Sequence, residues 1–267
     1  MKSKTPFIIA EIGVNHNGSL LNAKKLIDYA SKKKVNAVKF QFFKAENLVI
    51  KNLDLAPYQK TKKNKTSQFK MLKKYEFDID QHILLSKYCK KKNIEYMTSF
   101  FDTELIKYHR KLNLKRLKIP SGEMTNVPYL EAIAKINKQI LLSTGMSNYK
   151  EVLFAIKTIL KVNEYHKKRI VLMQCTSEYP TLSKNVNLNV LKTYKNLGYK
   201  IGYSDHTKGY QATNLAIALG AEYIEKHITL DNKLLGPDHK ASLSIKNFNI
   251  YLKKINETIN ILGSYVK

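Results

Sequence analysis

Cysteine is nearly absent: with only Cys89 and Cys175 the chain cannot build a disulfide framework, and nothing in it suggests export to an oxidising compartment. Arginine is almost as rare. Only Arg110, Arg116 and Arg169 stand among 47 basic residues, so lysine carries the formal charge of +26. Nucleic-acid recognition enriches arginine, whose planar fork donates two bonds at once. A lysine excess on helix faces and in turns, as at 32–34 and 90–92, reads instead as solvated surface and argues against nucleic acid as the main partner. The positive field still favours anionic small substrates. Long apolar runs are missing too: none reaches the roughly 18 residues that cross a bilayer, so no membrane span is expected. The opening Met-Lys-Ser-Lys-Thr-Pro leads into a short β-like run and not into a signal-peptide apolar region. A soluble, cytoplasmic protein is expected.

What the chain does contain is alternation. Eight short β-type runs, at 7–14, 37–42, 94–99, 116–119, 140–143, 170–175, 200–203 and 223–228, are separated by stretches of helical period. Val152, Leu153, Ile156, Ile159 and Leu160 recur at three- and four-residue steps, as do Leu20, Ala23, Leu26, Ile27 and Ala30. A last helix is expected at about 245–262. Eight strand–helix units imply a parallel sheet closed into a (β/α)8 TIM barrel, α/β in class, and no composition break divides residues 1–267 into more than one domain. The stretch 44–78 is too long for an ordinary loop and reads as an active-site flap or a subunit contact.

Polar residues that look wasteful for a core gather where each strand ends: Glu11, Asn15 and His16; Lys39 and Gln41; Thr98 and Ser99; Lys118, Ser121, Gly122 and Glu123; Ser143, Thr144 and Gly145; Thr176, Ser177 and Tyr179; Ser204, Asp205 and His206; Glu225 and His227. In a barrel these ends meet at one mouth. Lys39 and Lys118 lie within apolar strands, where an unpaired ammonium is costly. Either each pairs with Glu11, Glu123 or Glu225, or both converge with Ser121, Gly122 and Ser143 on a phosphate or carboxylate. His206 and His227 suit the ends of adjacent strands, and two neutral imidazoles with water and a substrate oxygen suit Mn²⁺ or Zn²⁺, a hard carbonyl favouring Mn²⁺. His82, His109 and His166 fall in helical segments and read as surface residues. Asp238 and His239 follow the last strand and either close the site or sit in a loop stiffened by Pro237. Cys89 reads as a helix packing residue, and Cys175 ends a strand without a partner that would make it a nucleophile.

These residues stand in recognisable blocks. FIIAEIGVNHNG (7–18), VKFQ (38–41), KIPSGE (118–123), LLSTGMS (141–147), QCTSEYPT (174–181), GYSDHT (202–207), IEKHITL (224–230) and GPDHKASL (236–243) follow one another in order over nearly the whole chain. The set resembles the sialic acid synthase family, the phosphoenolpyruvate-dependent N-acetylneuraminate and legionaminate synthases. The resemblance implies condensation of phosphoenolpyruvate with an N-acylated mannosamine-type sugar, giving a nine-carbon nonulosonic acid and phosphate. It implies that His206 and His227 hold a divalent metal, with Mn²⁺ first choice, and that Glu11 binds the sugar near the reacting carbon. Lys39, Ser99, Lys118, Ser121 and Ser143 would cradle phosphoenolpyruvate, with Gln41 and Ser204 beside them; Ser177, Tyr179 and Asp238 would contact the sugar.

Relatives in this family carry a small C-terminal antifreeze-like domain that lends an arginine to the partner subunit of a homodimer. This chain stops at Lys267, where the linker to that domain would begin, so the domain is expected to be absent or supplied by a separate protein. Two other readings remain open from sequence: a phosphoenolpyruvate-dependent aldolase-type synthase acting on a sugar phosphate, and a non-catalytic sugar-binding remnant.

Overall fold

β-Branched runs alternating with amphipathic stretches have one economical solution here, strands inside and helices outside. The computed structural model describes residues 5–54 and 67–264. In chain order these form β1 (Phe7–Gly13), α1 (Leu20–Lys32), β2 (Ala37–Phe42), α2 (Ala45–Leu48), α3 (Gln68–Tyr75), α4 (Ile79–Lys91), β3 (Glu95–Phe100), β4 (Arg116–Ile119), α5 (Val127–Ala134), β5 (Gln139–Ser143), α6 (Tyr149–Val162), β6 (Ile170–Gln174), α7 (Val190–Asn196), β7 (Lys200–Asp205), α8 (Gln211–Ala218), β8 (Tyr223–Thr229), β9 (Leu243–Ser244) and α9 (Ile245–Leu262). β1 to β8 pair in sequence order, all parallel, and β8 pairs back onto β1 to close the barrel. The expected fold is present, with three departures. Between β3 and β4 the crossover is a 3₁₀ segment, Thr103–His109, in place of an α-helix. β7 and β8 run further than their apolar patterns suggest, because polar residues at a barrel mouth still belong to the ladder. The two-residue β9 joins β8 at Ile228 and Thr229.

Side-chain alternation sorts each strand into an inner and an outer row. The outer row packs under the helices in one large core that includes Ala10, Val38, Phe40, Leu117, Leu172 and Ile224. The inner row is layered along the barrel axis. At the bottom, Arg116 bonds Gln139 at 2.8 Å and Glu95, with its guanidinium 4.1 Å over the Phe7 ring. Above lies a dry plug of Ile9, Ala37, Met97, Leu141, Val171, Met173 and Tyr223. The next inward residue is polar on every strand but β6, where Cys175 follows Met173. This switch from plug to polar layer positions the site.

The stretch 44–78 folds partly into α2 and α3, with residues 55–66 outside the described residues. Lys73 joins the two short helices through Glu46 at 2.8 Å and Glu76 at 3.2 Å, and Glu76 also accepts from the Ala45 N–H at 2.9 Å.

Two histidines expected on the surface are buried. His82 is fully buried in α4, its Nδ1 2.6 Å from the Tyr96 hydroxyl, and His166 is fully buried with Nε2 2.9 Å from the Ala134 carbonyl. One hydrogen bond to a fixed partner lets a neutral imidazole pack as an aromatic, which periodicity alone does not reveal. Cys89 packs in the core, as expected. His16 stacks on Phe77 with ring centroids 3.9 Å apart. Burial pushes both His16 and His82 down to about 3. In the unfolded chain they protonate near 6.5, so between those values the unfolded state binds more protons and stability falls as pH falls. The unfolding free energy from urea melts should therefore drop from pH 6.5 towards 4, by up to about 1.4 kcal/mol per pH unit for each histidine. His82→Asn should flatten that slope; an unchanged slope would remove His82 from the explanation.

Candidate active site

A cavity of about 690 Å³ opens above the plug. Its wall includes Glu11 from β1, Lys39 and Gln41 from β2, Ser99 from β3, Lys118 from β4 with Ser121 just beyond, Ser143 from β5, Ser177 and Tyr179 after β6, Ser204 and His206 at the end of β7, and Glu225 and His227 from β8. Each sequence-predicted site residue but one thus faces a single space. Asp238 stands just behind it, its carboxylate 4.0 Å from Nδ1 of His227. Several strand-end residues turn away. Asn15 bonds the Ile228 carbonyl and the Ser242 hydroxyl, both at 2.8 Å, and Thr98 donates to the Phe40 carbonyl at 3.1 Å. Thr144 reaches back to the Met173 carbonyl at 3.1 Å, and Asp205 points to the outer row. His239 is buried between Thr229 and Asn17, at 2.7 and 2.9 Å, so it pins the 236–243 loop and does not enter the cavity.

Four ionisable groups sit at the floor. Lys118 donates to both oxygens of Glu225, at 2.8 and 2.9 Å. Lys39 lies 2.8 Å from Glu11 Oε2, 3.8 Å from Glu225 and 3.2 Å from the Ser99 hydroxyl. The lysines thus pair with carboxylates, as one sequence reading expected, and both ammonium groups also line one space. Burial works against the Lys39 ammonium, but Glu11 and Glu225 overcome it and strengthen its hold on the proton. Burial likewise works against the Glu225 charge, and Lys118 and Lys39 outweigh it, taking that carboxyl down to about 2. Glu11 goes the other way: burial raises it to about 7 despite Lys39, and Oε1 is buried without a hydrogen-bond partner. Gly13, at φ +53°, marks the β-bulge after Glu11, and a side chain there would meet Glu11 Oε1 at 3.1 Å.

Across the cavity the His206 and His227 rings lie 5.6 Å apart, with Tyr179 against both. Burial lowers His206 to about 4; burial and then the neighbouring His206 lower His227 well below the usual range, so both are neutral at pH 7. Nδ1 of His206 donates to the Thr176 carbonyl at 2.6 Å, which leaves the Nε2 lone pair among the Tyr179 and Ser204 hydroxyls, at 3.2 and 3.4 Å. Nδ1 of His227 is buried without a hydrogen-bond partner. Two neutral imidazoles, one with its donor nitrogen already committed, fit a divalent cation. Among the described residues no group of three His, Cys, Asp or Glu that could hold a metal ion is present, so the two imidazoles alone would supply the protein's nitrogen ligands.

Glu225, expected from sequence at the mouth and as a lysine partner, is the hub of both lysines and also accepts from Ser204 at 3.0 Å. Sequence reading misses one part of the wall. Leu48, Val49 and Leu72 of the 44–78 stretch line the mouth with Gln68 and Phe101. No motif marks them, since their contribution depends on how the stretch folds back.

Residues 26–267 match the NeuB family. The chain is 45% identical over 266 residues to the N,N'-diacetyllegionaminic acid synthase of Campylobacter jejuni, covering 99% of this chain and 79% of that one. It is 43% identical to the protein of the same name from Legionella pneumophila, over 98% of this chain and 74% of that one. Among solved structures it superposes with TM-score 0.86 and 32% identity on the N-acetylneuraminic acid (sialic acid) synthetase of Leptospira borgpetersenii in complex with citrate, covering 98% and 87% of the two chains.

Proposed function

The chain belongs to the NeuB family, and from that premise we propose that it condenses phosphoenolpyruvate with an N-acylated mannosamine-type sugar to give a nonulosonic acid and phosphate. One observation carries the assignment of roles: two neutral imidazoles face two carboxylate-held ammonium groups across one cavity.

Lys39 and Lys118, with the hydroxyls of Ser99, Ser121 and Ser143 and with Gln41 and Ser204 alongside, hold the phosphate and carboxylate of phosphoenolpyruvate. Glu11 and Glu225 already aim the ammonium groups, so little reorganisation is needed as charge develops. Ser177, Tyr179 and Asp238 hold the open-chain sugar, and the Leu48, Val49, Leu72 and Phe101 wall suits an acyl methyl group. A carbon–carbon bond forms between the phosphoenolpyruvate methylene and the sugar aldehyde carbon; water adds at the adjacent carbon, and the bond to phosphate breaks. Glu11, with one oxygen unpaired, holds or moves the proton at the aldehyde oxygen or the attacking water. His206 and His227 hold a divalent cation, Mn²⁺ first, which when bound supplies Lewis-acid polarisation of the aldehyde.

A cytoplasmic setting fits two free, buried cysteines, and among the described residues no helix is long and apolar enough to cross a membrane. A homodimer follows from the resemblance alone. A sugar-phosphate substrate would call for a second cationic cluster, yet among the described residues the lysines of the cavity wall are Lys39 and Lys118, and no arginine lines it. A binding remnant has no need of a buried cluster of lysines and carboxylates, whose charges cost several kcal/mol each to desolvate.

The test is phosphate release from phosphoenolpyruvate with Mn²⁺ and, in turn, N-acetylmannosamine and a 2,4-diacetamido relative. Release with one of them, lost on chelation and restored by Mn²⁺, is expected; no release with either would overturn the activity. Gly145 offers a finer check. A methyl there would stand 2.7 Å from Cys175 Sγ, 2.8 Å from Ser177 Oγ and 3.0 Å from Ser121 Oγ, all at the cavity wall. Gly145→Ala should raise the KM for phosphoenolpyruvate by about ten-fold or more, since displacing a positioned group by even an ångström is costly. An unchanged KM would take Ser121 out of the anion cradle.

A further inference from the structure

We infer that the buried Asp205–Lys226 ion pair is the positioning element for His206 and His227, fixing how the two imidazoles face each other from the outer side of the barrel. The inference rests on the reading of those histidines as a cation site. At the mouth, the inward residues of β7, its following residue and β8 are Ser204, His206, Glu225 and His227; Asp205 and Lys226 lie between them and point outward. They are direct register partners on adjacent strands. Their side chains meet at 3.0 Å and are 0% and 1% exposed. Each is the residue immediately before one of the imidazoles, so one contact ties the two histidine-bearing strands together at the relevant level.

The pair also grips the turn beyond His206. Asp205 Oδ1 accepts from the Thr207 N–H at 2.8 Å and from its hydroxyl at 2.7 Å, while Lys226 Nζ donates to the Thr207 carbonyl at 2.6 Å. Asp205 Oδ2 further accepts from the Thr213 hydroxyl at 2.7 Å, and Thr213 meets the Tyr251 hydroxyl at 2.8 Å. His206 is thereby held on both flanks, with α8 and α9 as the frame. Neither Asp205 nor Lys226 lines the cavity, so neither has a direct part in the chemistry. Stability alone does not explain them, since a well-packed apolar pair would serve as well or better than a buried ion pair. A setting of register and aim does.

The test measures Mn²⁺ affinity of the full chain by calorimetry or by the paramagnetic resonance of free Mn²⁺, beside phosphoenolpyruvate affinity without metal and thermal melting. Asp205→Asn and Lys226→Met should each weaken Mn²⁺ binding about 10–100-fold, the usual scale for outer-shell positioning groups. Phosphoenolpyruvate affinity should stay within about two-fold, because its lysines and serines are untouched. The double variant Asp205→Leu, Lys226→Met separates aim from stability, and it carries the test if a single variant fails to fold. It should regain the melting temperature and keep the weak Mn²⁺ binding. Wild-type Mn²⁺ affinity in any folded variant would overturn the inference, as would Mn²⁺ and phosphoenolpyruvate affinities falling together in step with stability. Wild-type protein that binds phosphoenolpyruvate but no Mn²⁺ would overturn the cation reading of the histidines as well; normal wild-type binding with unaffected variants would sink the positioning role alone.

Discussion

Glu11→Gln is expected to lower kcat by about 10²–10⁴-fold, the range lost when a positioned proton-transfer group is removed. The change keeps the shape of the side chain and removes its charge and its basicity. Glu11 is buried, one oxygen is tied to Lys39 at 2.8 Å, and the other has no hydrogen-bond partner. An oxygen kept dry and unpaired at the cavity wall costs stability unless a ligand completes it. The amide also removes the charge facing the buried Lys39 ammonium, so the melting temperature should fall somewhat, while turnover falls far more than that loss explains. Steady-state kinetics at saturating phosphoenolpyruvate and sugar, beside a thermal melt, make the comparison. A kcat within about three-fold of wild type would remove Glu11 from the proton-transfer role.

Lys118→Met should act on binding and stability together, for different reasons. Lys118 gives two charge-assisted bonds to Glu225, and its removal leaves that carboxylate with Lys39 at 3.8 Å and the Ser204 hydroxyl at 3.0 Å. Breaking a buried pair on one side costs about 3–5 kcal/mol. Loss of one charged donor to the substrate should raise the KM for phosphoenolpyruvate by roughly 10–100-fold. Adding Glu225→Met to Lys118→Met removes the stranded charge, so the double variant should recover most of the lost stability and none of the lost affinity. Recovery of both would mean that Lys118 serves the barrel and not the anion.

The site is legible in the sequence because barrel topology is periodic. Once eight strands are recognised, the residues ending each must converge, and Glu11, Lys39, Ser99, Lys118, Ser143, Ser204, His206 and His227 do so. Where the reading fails, the alternation of faces is the cause. Thr98, Thr144 and Asp205 stand one position from inward residues and point outward. Asn15 and His16 follow the bulge at Gly13, where the register shifts. His82 sits on α4 and His166 in the short 3₁₀ segment Glu164–Lys168, and the apolar pattern of neither gave a hint that an imidazole would be sealed inside.

The order of strands, the parallel sheet and the set of chemical groups at the mouth are properties of the linear chain, because an eight-fold alternation of β and helical pattern admits one closed arrangement. Which groups meet was decided only by folding. That Glu225 binds both lysines, that residues 48, 49 and 72 wall the mouth, and that an outward ion pair sits behind two inward imidazoles depend on distances across strands far apart in sequence. Pattern specifies which face a residue takes. The low dielectric of the closed barrel then decides which charges must find one another.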